Sequence, residues 1–136
     1  MRFLASLILI FWLVNNVFPC TVEISTIKTN AVYGKVIAET QESIPNAVIQ
    51  IYKNKEEGIE IIAETKADEN GRFEIKNFPA GKYMIRANAE HFTYSYASMK
   101  LKKTSAYVRN KEIIITLVPH GDCSGWVEMK KIQKSK

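Results

Sequence analysis

Short runs of alternating apolar and polar residues occupy most of residues 31–118. The run RFEIK places Phe73 and Ile75 on one face, and KYMIRANA places Tyr83 and Ile85 on one face. A period of two predicts β-strands that bury one side against a core. Such strand-like runs occupy residues 31–38, 47–52, 59–66, 72–76, 82–89, 95–102 and 112–118.

These runs are separated by clusters rich in Gly, Pro, Asn and Asp, and no long stretch repeats at the helical period. Seven short strands at regular spacing predict an all-β fold, a seven-stranded antiparallel Greek-key β-sandwich. The inward positions of the runs supply the predicted core. They are Val36, Ile49, Ile51, Phe73, Ile75, Tyr83, Ile85, Leu101, Ile113, Ile115 and Leu117.

Two turn sequences contain groups that are also used to bind ligands. DENG, residues 68–71, offers a carboxylate and an amide, but a calcium loop needs more oxygen donors at fixed intervals. A type I turn closed by a positive φ at Gly71 explains this sequence without a metal. NFPAG, residues 77–81, is likewise predicted to be a turn, with Phe78 closing one end of the sandwich. Both turns are therefore interpreted as scaffold.

The N-terminus is typical of a secretory signal. Arg2 precedes an unbroken apolar run at residues 3–14, which is short for a membrane-spanning helix. We predict a signal peptide at residues 1–20 that forms a helix, with an uncertain cleavage site. The mature protein is then secreted or periplasmic. The alternative is a membrane-anchored lipoprotein that carries its lipid on Cys20.

Cys20 and Cys123 are the two cysteines of the chain. If the signal is cleaved before Cys20, they are candidates for a disulfide in an oxidising compartment. Cleavage after Cys20 would leave Cys123 alone, and lipidation of Cys20 would exclude the bond. The sequence leaves all three outcomes open.

The net charge of +5 is unevenly distributed. Acidic and basic residues balance in residues 21–129, and the surplus belongs to Lys130, Lys131, Lys134 and Lys136. A balanced body lacks the basic patch of a nucleic-acid-binding fold, so no nucleic-acid partner is expected. Residues 119–136 are interpreted as a C-terminal extension with a solvated basic tail.

Several turn and core positions occur in an order that resembles the carboxypeptidase regulatory-like domain, from residue 31 to about 118. The matching positions are Gly34, Ile44–Val48, Thr65–Asp68, Gly71–Phe73 and Phe78–Tyr83. The resemblance implies a transthyretin-like sandwich, grouped with carbohydrate-binding-like folds. It also implies a non-catalytic module of secreted or cell-surface proteins. The segment 119–126 lies beyond the shared pattern.

The sequence offers no recognisable catalytic constellation. The histidines, His91 and His120, match no metal-site spacing, and Ser124 lacks the nucleophile-elbow pattern. We therefore expect no enzyme activity, no cofactor and no metal. The favoured function is a structural or protein-interaction module with an unidentified partner.

The alternative is a carbohydrate-binding module that stacks sugars on exposed aromatic rings. Its candidate stacking residues are Phe92, Tyr94, Tyr96 and Trp126. The first three project on one face if the segment is extended throughout. The plainer interpretation is cross-strand aromatic packing, with Trp126 as an apolar peg that holds the C-terminal segment.

Overall fold

A computed structural model describes residues 20, 24–103 and 111–133. The predicted signal peptide and its helix lie outside the described residues, apart from Cys20. The described residues form ten β-strands and no helix. Among them, accordingly, no helix has the length and apolarity needed to cross a membrane.

The strands are named in chain order. They are β1 (Ser25–Thr29), β2 (Val32–Ala38), β3 (Val48–Lys55), β4 (Gly58–Lys66), β5 (Arg72–Ile75), β6 (Gly81–Asn88), β7 (Phe92–Thr93), β8 (Ser95–Leu101), β9 (Lys111–Pro119) and β10 (Trp126–Lys131).

Two sheets pack face to face. Sheet A has the order β1-β8-β6-β3-β4, and sheet B has the order β10-β9-β2-β5, with β7 pairing to β9. The pairs β1/β8 and β2/β9 are parallel, and the other pairs are antiparallel. The expected all-β sandwich is therefore confirmed, but seven purely antiparallel strands are not what the structure shows. The Greek-key connection stays a prediction.

Three strands were missed because their sequences carry little apolar alternation. In β1, Ile27 is the buried large apolar side chain, and β7 has two residues. In β10, Val127 is buried and Lys130 and Lys131 pair with β9, so these two lysines belong to a strand while their side chains are exposed. These segments are strands because they pair with strands that are distant in sequence. Their local sequence patterns do not indicate a strand.

The core lies between the sheets and contains the predicted inward residues. All of them are buried except Ile75, which is half-buried at the end of β5. In β9 burial continues along Ile113–Val118 on both faces. The run of apolar residues in this strand, broken only by the buried Thr116, is typical of a strand covered on both sides.

The DENG turn is held by hydrogen bonds within the protein. The Asp68 Oδ1 atom accepts from the backbone amides of Asn70 and Arg72, each at 2.9 Å. Gly71 has a φ of 74°, as predicted, and its amide donates to the Asp68 carbonyl oxygen at 3.0 Å. The carboxylate is therefore engaged in forming the turn.

The second turn closes one end of the sandwich. The Phe78 ring packs edge-on against the Tyr83 ring with centroids 4.8 Å apart. The Tyr83 hydroxyl donates to the Pro79 carbonyl oxygen at 3.0 Å. Both contacts give NFPAG a structural role.

Candidate functional site

The outer face of sheet A, which points away from the core, carries an ordered polar row. Tyr96 in β8 is in register with Arg86 in β6, which faces Gln50 in β3, which faces Glu64 in β4. Side chains alternate along a strand, so these four residues lie on the face opposite the buried Ile85. The row therefore crosses four strands of the same sheet.

Arg86 lies at the centre of this row. Its Nε atom donates to Gln50 Oε1 at 2.7 Å, and Gln50 Nε2 donates to Glu64 Oε2 at 2.6 Å. Its guanidinium carbon lies 5.0 Å from the ring centroids of both Tyr52 and Tyr94, within the range of cation–π attraction. The guanidinium is thus oriented, while its terminal nitrogens have no hydrogen-bond or ion-pair partner among the described residues.

The Tyr52 ring packs against the Arg86 guanidinium on the side of the sheet. Its side chain is only 5% exposed although it belongs to the outer face. Burial raises the pKa of the Tyr52 phenol, and the positive charge of Arg86 opposes this shift. Tyr52 therefore stays a neutral ring under the guanidinium at physiological pH.

The aromatic residues proposed for sugar stacking do not all come together. Tyr94 and Tyr96 stack with centroids 5.8 Å apart and planes 27° apart. Phe92 belongs to β7, pairs with Pro119 in the other sheet and packs against the core. The chain passes from one sheet to the other between Phe92 and Ser95, so the assumed extended segment with three rings on one face is wrong.

Trp126 lies in β10, which is an edge strand of sheet B. Its side chain is 44% exposed, whereas the next residue, Val127, is buried. Val127 is therefore the residue that fastens the C-terminal segment. Trp126 belongs to sheet B and Tyr96 to sheet A, and Trp126 makes no ring contact with the Tyr94–Tyr96 stack.

Three exposed isoleucines, Ile59, Ile61 and Ile62, form what we call the isoleucine patch on β4. β4 is an edge strand of sheet A, and a β-bulge places Ile62 as an extra residue between two consecutive pairs with β3. Ile61 pairs with Tyr52, so the patch adjoins Tyr52 on the outer face, and the Tyr52 ring in turn contacts the Arg86 guanidinium. Sequence reasoning identified β4 as a strand but missed its exposure.

The model of the carboxypeptidase regulatory-like domain matches residues 31–111, more than half of the 136-residue chain. The chain belongs to the carboxypeptidase regulatory-like domain family. The domains of this family are regulatory, non-catalytic β-sandwich modules. No curated protein matches the chain.

The match of the carboxypeptidase regulatory-like domain covers β2 to β8 and leaves β1, β10 and most of β9 outside. The structure joins these flanks. Cys20 and Cys123 form a disulfide with Cα atoms 5.5 Å apart, and the Ser25 hydroxyl donates to the Val127 carbonyl oxygen at 2.9 Å. β1 and β10 therefore lie next to each other at one edge of the sandwich.

A second feature of this domain's outer face also requires β1. Lys28 in β1 is in register with Lys100 in β8, which is in register with Lys82 in β6. All three side chains are exposed. We call this row the lysine ladder. The sequence shows no sign of it, because the three residues are far apart in the chain and β1 was not recognised as a strand.

The described residues 24–103 and 111–133 contain no cluster of metal-binding side chains. No group of three or more His, Cys, Asp or Glu side chains that could hold a metal occurs there. His91 lies beside Glu90 with Nε2 and Oε1 3.6 Å apart, and both side chains are almost fully exposed.

Proposed function

We propose that this protein is a secreted, non-catalytic module that binds a protein partner on the outer face of sheet A. The observation that carries the proposal is the isoleucine patch lying beside Tyr52, whose ring contacts Arg86. Exposed contiguous apolar side chains mark interaction sites on soluble proteins. Tyr and Arg are among the residues that contribute most to binding energy in protein interfaces.

The bulge in β4 indicates how the partner docks. Strand addition to a sheet edge requires a regular row of backbone donors and acceptors. A bulge interrupts that row and twists the edge, which discourages pairing with another strand. We therefore propose contact through the outward side chains of Ile59 and Ile61 rather than through the backbone of the edge strand.

The disulfide supports the secreted location. Disulfides persist in extracellular, periplasmic and other oxidising compartments. A Cys20 that is bonded to Cys123 has no free thiol to carry a lipid, so the bond supports cleavage before Cys20 over the lipoprotein alternative. The proposed mature protein is accordingly secreted or periplasmic and unanchored.

Site-directed photo-cross-linking tests the proposed protein-binding role. A photoreactive residue placed at position 61 should yield one discrete protein adduct in the native extracellular or periplasmic fluid. The same residue at position 69, in the exposed DENG turn, is the matched control. Ile59→Asp should abolish the adduct at position 61. The absence of an adduct at position 61, or equal adducts from both positions, contradicts the proposal.

A carbohydrate-binding function is the second candidate, and the Tyr94–Tyr96 stack favours it. Tyr94 is 37% exposed and adjoins a groove of about 240 Å³ whose polar lining residues are Asn46, Gln50, Asn88 and Glu90. Amide side chains beside a ring suit a neutral sugar. A glycan array with the Tyr94→Ala variant as control separates the candidates, since only a glycan-binding site loses array signal with this ring.

A further inference from the structure

The lysine ladder is electrostatically unfavourable in the isolated protein. Like charges on directly opposed residues of neighbouring strands destabilise a sheet. Neighbouring strands lie about 4.7–4.9 Å apart. The three lysine side chains therefore leave adjacent backbones at this spacing. None of Lys28, Lys82 and Lys100 has an ion-pair partner within the part of the chain that the structure describes.

Arg86 extends the positive charge along the same face. It lies four residues beyond Lys82 on β6, about 13 Å along the strand, and on the same side. Its terminal nitrogens are unpaired, and the nearby Glu64 carboxylate accepts a hydrogen bond from Gln50. A planar guanidinium presents paired donors that match a carboxylate or sulfate.

We propose that the lysine ladder, with Arg86 beside it, binds a linear acidic polysaccharide that runs across β1, β8 and β6. The row next to the ladder consists of Thr26, Ser98 and the half-buried Met84, which are in register with one another. Its two hydroxyl groups suit the many hydroxyl groups of a sugar chain, whereas a membrane-binding surface would carry several large, exposed apolar side chains among its lysines.

An extended acidic peptide fits the ladder less well. Same-face side chains along a β-strand recur about every 6.6–6.8 Å, which is wider than the strand spacing that separates the lysines. The inference goes beyond the proposed protein-binding role, because the three lysines take no part in that role and only Arg86 belongs to both surfaces. Lys28 also lies outside the matched residues 31–111, so the complete ladder depends on a strand that the family match does not cover.

The test measures binding by biolayer interferometry. It uses the full-length chain after expression and processing in its native cells. Immobilised dextran sulfate and polygalacturonate are the acidic probes, and neutral dextran is the blank. The variant Lys28→Gln/Lys82→Gln/Lys100→Gln is compared with Lys76→Gln/Lys111→Gln/Lys131→Gln. The control removes the same charge from exposed positions outside sheet A. Melting temperatures establish that both variants are folded.

The ladder variant should lose about tenfold or more in affinity for at least one acidic probe, because ionic contacts dominate polyanion binding. The slope of log affinity against log salt concentration should become about two units less steep. Fewer ionic contacts form in the variant, so fewer counterions are released on binding. The control variant should stay within about threefold of the parent, since its lysines make no such contacts. Equal losses in the two variants, or no binding of the parent to either probe, would overturn the proposal.

Further arms separate the other polyanions. Single-stranded DNA, poly-glutamate and vesicles of phosphatidylcholine with phosphatidylserine are tested under the same salt. Binding to any of these as tight as to the polysaccharides overturns the assignment to a polysaccharide. Ile59→Asp should leave polysaccharide binding unchanged, so failure of the protein-partner proposal remains distinguishable from failure of this one.

Discussion

The amide of Val36 donates a hydrogen bond to the carbonyl oxygen of Gly71 at 2.8 Å. The carbonyl oxygen of Val36 lies 2.6 Å from the position that a β-carbon on Gly71 would occupy. The backbone of the DENG turn therefore contacts β2 of sheet B directly. The close approach of the Val36 carbonyl oxygen leaves no room for a side chain at position 71. The turn and the central strand support each other.

We predict that Gly71→Val destabilises the protein strongly. A β-branched residue resists a φ of 74°, and its β-carbon would meet the Val36 carbonyl oxygen. The loss should be about 3 kcal/mol or more in urea-induced unfolding, since strain and steric overlap add. Gly58→Val is the control, because Gly58 also has a positive φ but open space around it. An unchanged midpoint for Gly71→Val contradicts the assigned turn.

Asp68 should act through its hydrogen bonds. Asp68→Ala removes the acceptor of two backbone amides and should cost about 1–2 kcal/mol in chemical unfolding. Asp68→Asn keeps a side-chain oxygen at the same place and should cost less than half as much. If calcium raises the melting temperature of the parent but not of Asp68→Asn, the turn binds metal and the scaffold interpretation is wrong.

Phe73→Ala should remove a large part of the stability. The Phe73 ring is 5% exposed in the core between the sheets, and truncating a buried Phe costs about 3–5 kcal/mol. Phe92→Ala, at a half-buried ring of the short strand β7, should cost less. Equal losses in the two variants would show that Phe73 is not the better packed ring.

Lys100→Glu should stabilise the protein, although it replaces one exposed charge by another. The new carboxylate would lie between Lys28 and Lys82, and opposed charges of opposite sign are favourable across strands. The gain should be about 0.5–1 kcal/mol at low salt and should shrink as salt screens the charges. Lys76→Glu, at an exposed turn position, is the control and should change little. A destabilised Lys100→Glu variant would contradict the register of the three lysines.

Removing the disulfide should destabilise the fold without abolishing it. The bond closes a loop with a sequence separation of 103, for which chain-entropy estimates give about 2–5 kcal/mol. Cys20→Ala/Cys123→Ala should lower the melting temperature, and reductant should lower that of the parent but not of the variant. Thiol labelling of the denatured, unreduced protein checks the bond directly, because two labelled cysteines would show that it is absent.

The repeating pattern of apolar residues was enough to predict an all-β sandwich and nearly all of its core. Alternation is a local property, since each strand places every second side chain on the same face. The turn at Gly71 was predictable for the same reason, because its backbone conformation follows from the adjacent residues. Ile75 was assigned to the core but lies half-buried, since β5 ends there.

The surfaces were not predictable from the chain alone. Strand order places Lys28, Lys82 and Lys100 side by side and leaves the isoleucines of β4 at an edge. It also sends Phe92 to one sheet and Tyr94 towards the other. Pairing between residues distant in sequence decides which side chains share a face, and no local pattern encodes that choice. The sequence by itself therefore determined the fold class and the inward faces, while only the tertiary structure decided what the outward faces present.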